Sequence, residues 1–410
     1  MAVRLHAIGQ RSETVRRANL SAIVRELHTG GPRSRSELVA RTGLTRSAIR
    51  GLIAEFVAAG LVSEERATPL GGPGRPSPLV RPNPEGAVVI AFDVAVDSLA
   101  AALVGLGGEV IDRVRVYRPR GHSSVTEVVD QLAEGARVIK ARSNSEALIG
   151  IGVAIAGMVR RSDGFVAMAP NLGWRDVPLR APLARALEAT VPVWIANEAD
   201  LGALAELRRG AAVGTGDVLY LSGEVGVGGG LLVEGWPLTG VAGVGGEVGH
   251  IPVNPAGRPC HCGSVGCWET EVGEEALLRL AGHAPGGGWS EVEAVLDEAR
   301  AGSTVALDAF ESIGRWLGVG MAGLVNVLNP RLIVLGGLFG RIHPFVSAAL
   351  EAELDRRTLP GSRALVRIVP ARLGADAPLV GAAELAFEPL LADPAAWLRP
   401  RGAAAQLASA

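Results

Sequence analysis

The chain has 410 residues, of which 48% are hydrophobic, 20% charged and 4% aromatic. That is enough apolar material for a sizeable core and excludes a disordered tail or a coiled coil, and at roughly 150 residues per domain it predicts two to three domains. The formal net charge of -2 hides an asymmetry: residues 1–82 hold 13 Arg against 6 Glu, and the remainder holds 27 basic against 36 acidic residues, so the two parts are expected to meet different partners.

From Thr14 to His28, Val15, Ala18, Ala22, Ile23 and Leu27 recur at helical spacing, and Thr29-Gly30-Gly31-Pro32 stops the helix. A second helix is predicted from about Ser36 to Arg41. A third runs from Thr45, a suitable N-cap, to about Ala59, with Gly60 as its stop. Val39, Gly43 and Ile49 stand at the offsets of a helix-turn-helix: a small packed residue, a left-handed turn glycine and a buried branched residue. Assigning Ala48, Ile49, Leu52, Ile53, Phe56 and Val57 to the core leaves Arg46, Ser47 and Arg50 facing outward, with Thr45 at the helix entrance. Arginine donates two hydrogen bonds to guanine, and hydroxyls hold phosphate or base atoms, so these four are the DNA-binding candidates. The alternative is a protein-interaction module with a solvated basic face. Leu61 to Ala67 reads as a strand, and Pro69 to Pro78 as a wing loop merging into a linker. In Gly74-Arg75-Pro76 an extended arm places Arg75 in a narrow minor groove, unless it is an incidental linker arginine.

Beyond Pro84 the pattern changes to α/β. Strand-like runs at Ala87–Asp93, Ile149–Ala154, Val191–Ala196, Val218–Ser222 and Leu332–Leu335 alternate with Ala/Leu-rich helical stretches. Glycine-containing strand-turn segments near Asp93 and at Gly226–Gly230 hint at a duplicated lobe, and the Ala-rich tail after Pro394 is expected to be partly disordered. Apolar runs such as Ile151–Val159 fall short of the ~18 residues of a membrane span. No apolar segment follows Arg4, Arg11, Arg16 and Arg17, so a secretory signal is not expected and the cytoplasm is the predicted compartment.

All three cysteines, Cys260, Cys262 and Cys267, lie within eight residues, and His250 precedes them. Three thiolates, one imidazole and intervening glycines suit a tetrahedral zinc site with every position filled by protein, hence a structural one. His261 is a rival ligand, but between two ligating cysteines it is expected to face solvent. Inert buried thiols, or a redox pair with a spare, are the alternatives.

These residues resemble the ROK family of repressors, open reading frames and sugar kinases, and the resemblance covers nearly the whole chain. It is carried by Gly246-Glu247-Val248-Gly249-His250, by Cys260-x-Cys262-Gly263-x-x-Gly266-Cys267-x-Glu269, by Pro170-Asn171-Leu172, by Asn197-Glu198-Ala199-Asp200, and by the helix-turn-helix head that the regulator branch possesses. The fold it implies is α/β: a winged helix-turn-helix (1–82) followed by a two-lobed actin-like body of hexokinase and ribonuclease H type. Lobe 1 then spans 83–200, completed by about 375–393; lobe 2, with the zinc motif, spans 201–374; a tail follows from 394 to 410. The resemblance also implies a sugar pocket lined by Asn171, Asn197, Glu198, Glu247, His250 and Glu269, with His250 binding zinc through one nitrogen and facing the sugar with the other.

Kinases of that family carry Asp-x-Gly-x-Thr in the first phosphate loop and Gly-Thr-Gly-x-Gly-Gly-Gly in the second. Here the loops read Asp93-Val94-Ala95-Val96-Asp97 and Glu224-Val225-Gly226-Val227-Gly228-Gly229-Gly230, and Glu198 occupies the position of the kinase's base. Carboxylates at Asp97 and Glu224 repel ATP phosphates. The glycine pair Gly336-Gly337 suits an adenosine loop or an ordinary turn. The expected protein is therefore a regulator, a repressor of carbohydrate genes that is not an enzyme. Its expected partners are an operator duplex and a sugar or sugar phosphate, and it is expected to form a homodimer or homotetramer. An active or bifunctional ATP-dependent sugar kinase is the alternative.

Overall fold

The computed structural model of the protein describes residues 12–65, 77–121, 123–143 and 147–398. Arg75 and most of the wing lie outside them. The head contains helices α1 (Ser12–Gly30), α2 (Arg35–Thr42) and α3 (Arg46–Ala58), with strands β1 (Arg33–Ser34), β2 (Val62–Glu65) and β3 (Leu79–Pro82). Gly43 ends α2 in the left-handed region (φ 71°), where a side chain would be strained, and turns the chain into α3. Ser34 and Glu37 form a capping box on α2, and Thr45 Oγ1 accepts from the Ala48 amide to cap α3. Strand β3 pairs with β2 on one side and β1 on the other, the small sheet of a winged helix. Val57, expected in the core, is 41% exposed: the buried stripe of α3 is the narrower Ile49, Leu52, Ile53 and Phe56.

The body begins with β4 (Val88–Val94), β5 (Ser98–Gly105) and β6 (Val110–Tyr117), followed by α4 (Val125–Arg142) and β7 (Leu148–Ile155). A small antiparallel sheet of β8 (Met158–Arg160), β9 (Phe165–Ala169) and β10 (Trp174–Pro178) precedes α5 (Arg180–Ala186), β11 (Val193–Asn197) and α6 (Glu198–Arg209). Next come β12 (Val218–Gly223), β13 (Val227–Val233), β14 (Trp236–Pro237), α7 (Trp268–Val272), α8 (Glu274–Leu280), α9 (Gly288–Arg300) and α10 (Thr304–Leu328). The chain closes with β15 (Leu332–Gly336), α11 (Gly337–Arg357), α12 (Pro360–Arg363), β16 (Arg367–Pro370) and α13 (Ala377–Ala392).

The two large sheets have one topology. In order they read β6-β5-β4-β7-β11 and β14-β13-β12-β15-β16: three antiparallel strands, then two more added parallel to the first. This is the duplicated lobe hinted at by the glycine segments. Helix α11 covers the second sheet and α10 packs on α11, while α13 returns to pack on β4, β7 and α6 of the first. One apolar core runs from the head (Leu20, Ile23, Phe56) through α13 (Phe387, Leu390) to the first sheet (Ala91, Ala102), so the head is docked on the body. The start of the expected tail is ordered: Pro394–Ala396 forms a turn beside α1, with Ala395 buried and Leu398 against the same core.

Candidate functional site

The cleft between the lobes brings together all six candidate sugar-binding residues. Asn171 comes from the turn Pro170–Leu172, Asn197 from the end of β11, Glu198 from the first position of α6, and Glu269 from α7. Glu247 precedes the short turn Val248–His250, and His250 ends it. The lobes meet over Gly226, where a Cβ would stand 2.7 Å from Glu269 Oε2 and 4.0 Å from Asn171 Nδ2. Asn197 enters the cleft as a helix cap: its Oδ1 accepts from the amides of Ala199 (2.7 Å) and Asp200 (3.2 Å), and its Nδ2 donates to Gly157 O (2.8 Å). One amide proton remains for a ligand. Met158, Met168, Arg258, Thr270 and Arg279 also line the cleft. Of these, sequence reasoning had a signal only for Arg258, beside the cysteine motif.

The end of the cleft where the two phosphate-loop segments lie is acidic. Burial, then the neighbouring Asp376 and Asp97 against the pull of Arg115, push Asp93 up to about 7. Burial and the charges of Asp93, Glu247 and Asp97 raise Glu198 to about 8, and burial together with Glu198, Asp97 and Asp93 holds Glu224 well above the carboxylate range. Asp93 Oδ1 is buried without a hydrogen-bond partner. On the Asp97 side a compensating cation is Arg120, which donates to Asp97 Oδ2 (3.2 Å) and to both oxygens of Glu274 (2.5 and 3.0 Å).

Along the cleft, His250, Cys260, Cys262 and Cys267 bring one donor atom each within 4.8 Å of one another. The edge of a tetrahedron with Zn–S bonds of about 2.3 Å is about 3.8 Å. Cys262 Sγ lies 3.7 Å from Cys267 Sγ, and His250 Nδ1 lies 3.6 Å from Cys260 Sγ, so the donor set fits Zn²⁺ with no position left over. No disulfide forms: all three cysteines are free. His261 is exposed and outside the cluster, as its place between two cysteines implied. Glu269 Oε1, which accepts from Cys260 Sγ at 2.9 Å, joins this loop to the cleft.

On the head, Thr45, Arg46, Ser47 and Arg50 share the exposed face at the start of α3. Arg16, Arg25, Arg35, Arg41 and Arg81 each pair with a carboxylate. Among the described residues Arg46 and Arg50 have no such partner, so their guanidinium donors remain available for an external anion or base edge.

The model of the ROK family matches residues 89–388. The chain belongs to the ROK family. The xylose repressor of Bacillus spizizenii is 29% identical over 380 residues, covering 92% of this chain and 97% of the repressor. A glucokinase of Streptomyces coelicolor is 30% identical over 321 residues, covering 74% of this chain and 98% of the kinase. The crystal structure of a ROK family transcriptional regulator, a homologue of the E. coli MLC protein, superposes with a TM-score of 0.74 over 94% of this chain and 97% of that one at 24% identity. The fold is thus the actin-like ROK body with an N-terminal winged-helix head. No helix among the described residues is long and apolar enough to cross a membrane.

The acidic end of the ROK cleft sets a pH dependence. An acid whose folded pKa lies above its unfolded value stabilises the fold fully below the unfolded pKa, near 4, and that contribution is lost as pH rises through the folded pKa. Asp93 (folded value about 7, 3% exposed) and Glu198 (about 8, with some surface open to the cleft) place the loss between about pH 4 and pH 8. The urea-unfolding free energy is expected to fall by on the order of 2 kcal/mol from about pH 5.5 to about pH 8.5, and Asp93→Asn is expected to flatten that slope. A free energy that rises over this range contradicts the assignment.

Proposed function

We propose that the protein is a sugar-responsive transcriptional repressor in which residues 1–82 bind operator DNA and the two-lobed body is a sensor, not a kinase. The observation that carries this reading is the head: a capped recognition-type helix with unpaired Arg46 and Arg50 on its exposed face. The repressor relatives extend over this head, whereas the glucokinase match covers only 74% of the chain. Asn171, Asn197, Glu198, Glu247, His250 and Glu269 supply the carboxylate, amide and imidazole groups that vicinal hydroxyls require. Zinc on His250 and the three cysteines orders the loop that presents His250 and Glu269. Closure of the lobes on the sugar shifts the paired heads of a homo-oligomer and changes their fit to two half-sites.

The test is fluorescence anisotropy with a duplex that the protein itself selects from a random pool, with and without D-xylose or D-glucose. The free protein is expected to bind the selected duplex at least about 10³-fold more tightly than scrambled DNA, and one of the sugars is expected to weaken that binding. Arg46→Ala is expected to cost about 1–3 kcal/mol on the selected duplex and markedly less on scrambled DNA. Equal losses on both duplexes would rule out base reading by Arg46.

A further inference from the structure

Helix α6 begins in the cleft and ends against the head. At its N-terminus Asn197 caps it and Glu198 opens it, both lining the cleft. Its 12 residues carry the backbone about 18 Å further, at 1.5 Å per residue. There Arg208 and Arg209 meet α13, and Arg209 also touches His28 of helix α1 in the head. Arg209 Nε donates to Glu384 Oε1 at 2.5 Å, and His28 Nε2 lies 3.2 Å from that carboxylate and 2.8 Å from Arg209 Nη2. Gly107 N donates to His28 Nδ1 at 3.0 Å. Both His28 and Glu384 are buried, at 0% and 3% exposure. Beside this triad, Glu388 accepts from Arg208 (3.1 Å) and from both terminal nitrogens of Arg25 (2.5 and 3.3 Å).

Between its two ends α6 is gripped by both lobes without intervening side chains. A Cβ on Gly230 of β13 would stand 2.4 Å from Ala199 O, and one on Gly381 of α13 would stand 2.0 Å from Leu201 O. Close-packed backbones of this kind do not deform continuously, so a change in the angle between the lobes displaces the helix as a rod.

We infer that α6 is the mechanical relay between sugar cleft and DNA-binding head, and that the Arg209–Glu384–His28 and Arg208–Glu388–Arg25 clusters are the coupling that passes its displacement to α1. The relay presupposes the sugar-binding cleft proposed above. Removing one member of a buried charge cluster destabilises a protein by leaving its partner unpaired, so the half-exposed Glu388 cluster is the one to cut. Neither Arg208 nor Glu388 lines the cleft.

The experiment combines calorimetric titration of the full zinc-loaded chain with D-glucose and D-xylose and amide hydrogen exchange of residues 19–30. In the wild type the bound sugar is expected to change exchange in this segment by about fivefold or more. In Arg208→Gln/Glu388→Gln the sugar dissociation constant is expected to stay within about twofold while the exchange response falls below about twofold, and Arg208→Lys is expected to keep it. A sugar that binds the wild type and leaves residues 19–30 unchanged overturns the relay alone, as does a double variant with an undiminished response. If neither sugar nor any other monosaccharide binds, the sensor reading falls and the relay with it.

Discussion

Cys267→Ser is expected to abolish stoichiometric zinc and to weaken sugar binding at least about tenfold, the scale on which metal sites respond to changes even beyond the ligands themselves. Cys267 is fully buried and does two jobs. Its sulfur lies 3.7 Å from Cys262, and its backbone is the N-cap of α7, two residues before Glu269. The strands of its loop are held by two isolated bridges, Pro252 with Cys267 and Pro259 with Val265, by the amides of Trp268 on Ile251 O and Asn254 on Gly266 O, and by the Asn254 side chain on Glu271. Zinc would add the one cross-link that ties the His250 side chain to all three cysteine sulfurs at a single point. Trp268 is different: it is buried, and its indole donates to Trp316 O at 2.8 Å, so the base of the loop stays anchored when zinc leaves. The variant is therefore expected to remain folded, with a far-UV spectrum like the wild type's. The checks are elemental zinc analysis and calorimetry with D-glucose and D-xylose. Lost zinc with unchanged sugar affinity would mean that the loop holds His250 and Glu269 in place without the metal.

What could be read in the sequence is what local residues decide. The cap Thr45, the left-handed Gly43 and the four zinc-site donors act over fewer than about twenty residues, and the chain geometry at that range follows from residue type. The parallel strands β4, β7 and β15 announced themselves as apolar runs because both their faces are covered. Strand β5 did not: its Ala/Leu-rich Ser98–Gly105 suits a helix, and it is a strand because β4 and β6 pair with it on both sides. Val57 was misassigned because residues adjacent to a narrow helical stripe share its periodicity without its burial. The clusters at the far end of α6 were beyond sequence reading for another reason: Glu384 lies 356 residues from His28 and 175 from Arg209, and no spacing rule connects them.

No ADP release above background is expected when the zinc-loaded protein is incubated with Mg-ATP and D-glucose, D-xylose or other monosaccharides, under conditions in which a ROK glucokinase turns over. The longer side chain at Glu198 is not the main reason, since misplacing a base by about 1 Å costs about 10²-fold and leaves measurable chemistry. The nucleotide end is. The N-terminus of a helix is a ready anion site, and α11 starts at Gly337 beside the second phosphate-loop segment. Glu224 takes that place: its Oε1 lies 2.5 Å from where a Cβ on Gly337 would stand. Seating a polyphosphate there requires moving the Glu224 side chain and adding negative charge beside Asp97 and beside an Asp93 that is about half ionised near pH 7, where each 1.4 kcal/mol of repulsion costs another tenfold. Glu198→Asp alone is accordingly expected to leave ADP release at background. Restoring the loops with Glu224→Gly and Asp97→Thr is expected to recover nucleotide binding first, measurable as protection by Mg-ATP in a thermal melt. Turnover by the wild-type chain with any sugar would show that the carboxylates of both loops move aside for the nucleotide, and the body would then be a kinase carrying a DNA-binding head.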